Sequence, residues 1–161
     1  MDPFGPAHGK RHASFGFAQQ PSYDAQSRKG ENEMRMIPRN PTNGVYPASD
    51  DYVHAMEVIA PTRFLYLSGT MGLDETGNAP EGLDDQLILI WKNIVRILAE
   101  AEMTVDNIVR LTSYLTDHDF AEANAAARSR ALGDRRVPTA AIVVKTLLPE
   151  WLVEIEVVAA A

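Results

Sequence analysis

The sequence predicts an α+β domain with two helices packed on one face of a mixed β-sheet, and three observations carry that reading. Apolar residues recur at spacings of three and four between Leu83 and Ala101. From Ile108 to Thr116 apolar and polar residues alternate. Strand-like and helical stretches follow in the order strand, strand, helix, strand, helix, strand, strand.

Residues 1–40 are rich in Gly, Pro, Ser, Gln and charge without a sustained period of two or 3.6, which predicts a disordered N-terminal tail ahead of a domain spanning 41–161. Tyr52–Ile59 and Phe64–Gly69 are strand-like runs separated by Pro61-Thr62-Arg63, and the spacing predicts that they pair as a hairpin. Gly69 allows a close backbone approach or a bulge at the strand end. Leu83, Leu87, Ile90, Trp91, Ile94, Ile97, Leu98 and Ala101 form the apolar stripe of an amphipathic helix. In the next strand Val109, Leu111, Ser113 and Leu115 share one face, and Arg110, Thr112, Tyr114 and Thr116 share the other. Asp117 or Asp119 is placed to cap a second helix through Phe120, Ala123, Ala127 and Ala131, which Leu132-Gly133 ends. Two strands follow, Thr139–Thr146 and Trp151–Ala160, joined across Leu148-Pro149-Glu150. Both helices then cover one sheet face. The other is left bare with Val, Ile, Tyr and Thr, and self-association is expected.

Composition narrows the function. No run approaches the roughly 18 apolar residues that a membrane-spanning helix needs, and no basic segment followed by an apolar core opens the chain. A chain without cysteine has no thiolate chemistry or disulfides, which fits a reducing cytoplasm. Residues 1–40 hold six of the 15 Lys/Arg but four of the 22 Asp/Glu, so the body is strongly acidic and nucleic acid is disfavoured as a partner. His8, His12, His54 and His118 are scattered and suggest no metal site.

Four segments together carry a family resemblance: Phe64-Leu-Tyr-Leu-Ser-Gly69, Val109-Arg-Leu-Thr-Ser-Tyr-Leu-Thr-Asp117, Arg136-Val-Pro-Thr-Ala140, and Leu148-Pro through Val153-Glu-Ile-Glu-Val157. In order and spacing, over about residues 42–161, the chain resembles the Rid (reactive intermediate deaminase, YjgF) family. The resemblance implies a chorismate-mutase-like fold and a homotrimer whose sheets face inward, with a small-molecule cleft at each subunit boundary. It also implies hydrolysis of 2-imino or 2-enamino acids to 2-keto acids and ammonia without metal or cofactor. Such chemistry asks little of a protein, because a protonated imine is already electrophilic and needs mainly a held carboxylate and a placed water.

The family's water-positioning glutamate falls on Glu154. By pattern alone, Glu154 and Glu156 read as solvent-side charges alternating with Val153, Ile155 and Val157. Tyr52 resembles the family's first-strand aromatic, although Asp50-Asp51 precede it here; an ordinary strand tyrosine is the alternative. Ser68 matches a cleft residue, or is a strand-end serine. Asn124 matches a helix asparagine near the cleft, or makes a structural hydrogen bond. The cleft segment that begins at Arg136 continues through Ala140 to Ile142. There the chain departs from the family, because the carboxylate-binding arginine falls on Ala140, which has no side-chain donor. Arg136 is the preferred substitute cation, with Lys145 and Arg110 as alternatives. Three functions follow: a deaminase of imine or enamine metabolites with an atypical substrate, a non-catalytic ligand-binding or regulatory trimer, and an endoribonuclease or translation inhibitor, which the acidic body disfavours.

Overall fold

The computed structural model describes residues 33–161. In chain order the elements are β1 (Arg35–Arg39), β2 (Ala55–Ile59), β3 (Phe64–Met71), α1 (Leu83–Glu100), β4 (Ile108–Leu115), α2 (Ala121–Leu132), β5 (Thr139–Val143) and β6 (Val153–Ala160). Short 3-10 turns at Val105–Asn107 and His118–Phe120 lead into β4 and α2. Among the described residues, no helix is long and apolar enough to cross a membrane. Residues 1–32 of the expected tail lie outside the described residues.

A four-stranded mixed sheet has the order β3-β6-β4-β5. β6 runs antiparallel to both neighbours, while β4 and β5 are parallel. A parallel pair needs a long crossover, and α2 supplies it. The apolar stripe of α1 puts Leu87, Ile90, Ile94 and Leu98 fully inside, against Leu111, Leu115, Val153, Ile155 and Val157 from the sheet. Truncating any one of these to Ala would cost about 2–5 kcal/mol. β4 alternates as its sequence predicts, with Leu111, Ser113 and Leu115 buried and Arg110 exposed. The Asp117 side chain accepts from the Asp119 N–H, capping the turn that opens onto α2, and Gly133 closes α2 with φ 60.

Two expectations are corrected. β2 does not pair with β3; it pairs antiparallel with β1, from Arg35↔Ile59 to Arg39↔Ala55, as a separate two-stranded ribbon. The cause is the connection. Thr62 and Arg63 N–H groups donate to the Ala161 carbonyl at 2.7 and 3.0 Å, and the Ala161 N–H returns to the Arg63 carbonyl at 3.1 Å. That clamp aligns β3 with β6 instead of folding it back on β2. The second correction is the boundary at residue 40, because Arg35–Arg39 is a strand. Arg135 ties this strand to the domain, donating to the Met36 sulfur at 3.4 Å and to the Ile108 carbonyl at 3.0 Å. Pro38 within it is tolerated because an edge strand need not donate on its outer side.

Candidate functional site

The bare sheet face is a grid of side chains that the strand registers fix. Ile142, Tyr114, Glu154 and Met71 lie side by side across β5, β4, β6 and β3. One step along, Ala140, Thr112 and Glu156 form the next row, and one step further Arg110, Val158 and Tyr66 form a third. Among the described residues no helix covers this face; Tyr66 is 73% exposed and Ile142 48%.

Glu154 is half-buried against β3 rather than left in bulk solvent. The register of β3 against β6 shifts between Leu67 and Thr70. At this irregularity Gly69 has no side chain, and a Cβ built there would stand 1.6 Å from the Glu154 Oε1. The carboxylate therefore fills the space that any other residue at 69 would claim. Ser68, Gly69 and Thr70 line an open cleft of about 600 Å³, with Asn93, Arg96 and Ile97 of α1 also on its wall. Asn93 fixes that wall by donating to the Leu73 carbonyl at 2.9 Å. Glu156 has a different partner, the Tyr114 hydroxyl, which donates to it at 2.8 Å. This bond, followed by desolvation and the Glu156 charge, pushes the Tyr114 phenol above its ordinary 10.0.

Across the sheet, Tyr52 and Ala140 line a cavity of about 220 Å³ together with Tyr46, His54 and Arg110. An adjoining cavity of about 370 Å³ shares Arg110 and Ala140 and adds Thr112, Tyr114, Ile142 and Glu156. Tyr52 is positioned by the segment before it: Asp51 pairs with Arg128 of α2, whose side chain is 5% exposed, and accepts from the Ser49 hydroxyl at 2.6 Å. Partial desolvation and then the neighbouring Tyr46 phenol raise the Tyr52 phenol above its ordinary 10.0.

Within one chain the expected residues therefore form two groups. Glu154 and Ser68 lie at the β3 side, and Tyr52, Ala140 and Ile142 at the β5 side. Two residues join neither group. Asn124 is 1% exposed inside α2, and among the described residues its Oδ1 has no hydrogen-bond partner, so in the single chain it is an interior residue. Arg136 turns its guanidinium onto backbone, donating to the carbonyls of Asp50, Gly133 at 3.0 Å and Arg135 at 3.1 Å. In the single chain it serves as a loop clamp. Tyr46 and His54 were missed as cavity walls; the available signal was an aromatic residue set between Gly44 and Pro47 in a polar loop. The described residues also contain one exposed triad, Asp117-His118-Asp119, in which His118 lies 3.1 and 2.9 Å from the two carboxylates.

Comparison with known proteins fits this geometry. Residues 44–161 match the family model described as Endoribonuclease L-PSP. A RutC family protein of Aquifex aeolicus is 44% identical over 75 residues, which are 45% of this chain and 58% of that protein. Another, from Pyrococcus abyssi, is 31% identical over 106 residues, or 64% of this chain and 83% of its own. Among solved structures, the conserved Rid family protein YyfB of Yersinia pestis superposes with a TM-score of 0.69 at 27% identity, covering 78% of this chain and 98% of its own. RidA from an Antarctic Psychrobacter gives 0.59 at 27% identity, covering 71% and 91%. With the strand order, the helical layer and most of the chain matched, the protein belongs to the Rid (YjgF) family.

Proposed function

We propose that the protein hydrolyses the C=N bond of a reactive imine, or of an enamine after tautomerisation, in a cleft shared between neighbouring copies of a homotrimer. The observation that carries this reading is the Glu154 carboxylate lying over the backbone of Gly69, between Tyr114 and Met71 on the sheet face that no described helix covers. In the reaction a water held by Glu154 adds to the imine carbon and gives its proton to the carboxylate. The proton passes to the nitrogen, the C–N bond of the resulting carbinolamine breaks, and ammonia and a carbonyl compound leave. No group beyond the protein is required, because the substrate carries its own electrophile. The separation of the acid-bearing and aromatic-bearing groups on one sheet face supports a cleft completed by a second copy, and the bare face supports the assembly itself.

The test is ammonia release from freshly generated imino acids by the full chain. Glu154→Gln is expected to lower kcat/KM by about a hundredfold or more; unchanged turnover would refute the assignment. Ala140 favours a second reading, a trimer that binds small ligands without transforming them. That reading gains if metabolites raise the melting temperature while no imine is consumed.

A further inference from the structure

Arg110 is the cation that faces the alanine at position 140. It lies on β4, whose next same-face residue, Thr112, pairs with Ala140, so Arg110 and Ala140 are diagonal neighbours on one face. Both line both of the adjoining β5-side cavities. Arg110 is exposed, and among the described residues it has no ion-pair or hydrogen-bond partner. Arg136, in contrast, is occupied by carbonyls. An exposed guanidinium held between two cavities is free to make the paired hydrogen bonds that a carboxylate accepts.

The smaller cavity adds a second recognition element. Tyr46 and His54 stack edge to face with ring centroids 5.0 Å apart, and Tyr52 and His54 do so at 5.7 Å. The wall is fixed by backbone: the His54 ring contacts the Tyr46 carbonyl through Nε2 at 2.8 Å, and the His54 N–H donates to the Asn40 side chain at 2.8 Å. Three rings beside a free guanidinium suit a ligand with a planar apolar body and an anionic end. Glu156, the other charge on these walls, lines only the larger cavity and is engaged by Tyr114, which leaves the smaller one to an anion. Ala140 between them contributes a methyl group, leaving open the volume that a long side chain would fill.

We infer that Arg110 anchors the carboxylate of an aromatic acid whose ring packs on Tyr46, Tyr52 and His54. The substrate class is then the imino acids of aromatic amino acids, a statement that rests on the proposed hydrolysis for its chemistry but not for the binding site. Hydrocinnamate, which has both features, is the probe. Butanoate lacks the ring and hydrocinnamyl alcohol lacks the charge. Calorimetric titration of the full chain should show hydrocinnamate binding more tightly than either, by about tenfold. Arg110→Gln should weaken hydrocinnamate by about tenfold or more, while unaltered binding of the alcohol shows that fold and assembly are intact. Tyr46→Ala should weaken hydrocinnamate and leave butanoate unaffected.

Hydrocinnamate affinity within about twofold of wild type in Arg110→Gln would overturn the anchor, and equal binding of butanoate would overturn the aromatic wall. The two levels separate cleanly. Arg110-dependent binding without any imine hydrolysis sinks the catalytic reading alone. Hydrolysis indifferent to Arg110→Gln and to an aromatic side chain on the substrate sinks the site alone.

Discussion

Gly69 and Gly72 stand three residues apart, and substituting each by alanine has opposite consequences. At Gly69 the new methyl meets the end of the Glu154 side chain, which can swing away. Gly69→Ala should therefore leave the melting temperature within a few degrees of wild type, as side-chain rearrangements of about 1 kcal/mol do, while imine turnover falls with the displaced carboxylate. At Gly72 the methyl would stand 2.4 Å from the Gln86 carbonyl oxygen and 2.6 Å from its Cα, in the first turn of α1. Backbone cannot swing away, so Gly72→Ala should cost about 2–3 kcal/mol in urea unfolding. Equal stability losses in the two variants would contradict this account. The sequence marked Gly69 as a place of close approach, but not what approaches it, because Glu154 lies far along the chain. Arg110 was legible only as one of three candidate cations, since periodicity gives a side chain's face and not its partners.

Elements were easier to read than their partners. The stripe of α1 was visible because burial of a long helix imposes its period, and the alternation of β4 because one face is core and the other open. Gln86 broke that pattern and went unread. It is 1% exposed, donates to the carbonyls of Pro80 and Glu150 at 2.8 Å each, and accepts from the Leu152 N–H at 3.0 Å. This one side chain joins the start of α1 to the turn before β6. The link between the loop ahead of β2 and α2 was equally hidden, and it depends on pH. The Ser49 hydroxyl and, against the cost of burial, the Arg128 guanidinium hold the Asp51 carboxyl below its ordinary 3.8. A carboxyl that ionises more readily folded than unfolded stabilises the fold above the unfolded value and loses that contribution as pH falls through the folded one. Asp51→Asn should thus be less stable than wild type at neutral pH, and the gap should close toward about pH 3. Urea unfolding at both pH values checks it; a gap that persists in acid would contradict the assignment.

At the scale of the molecule, the layered fold and the bare face were legible, whereas the pairing of β1 with β2 was not. Arg35–Arg39 is short, interrupted by Pro38, and owes its extended form to a neighbour that no local pattern announces. The bare face yields the prediction about assembly. Tyr66 is 73% exposed in the single chain, so Tyr66→Glu should leave the fold intact by circular dichroism. An unpaired charge pressed into an interface is costly, so light scattering should find trimers for wild type and monomers for this variant. Trimers in both would show that this face is not the interface.

The placing of β6 has a consequence for how the protein comes into being. It sits between β3 and β4 yet follows every other strand in sequence. While a ribosome is still making the chain, β3 and β4 have emerged without the neighbour that separates them, their edges open to wrong partners. The sheet closes only when the last strand threads between them, a long-range step that is slow by nature and leaves the nascent chain dependent on protection from aggregation until then.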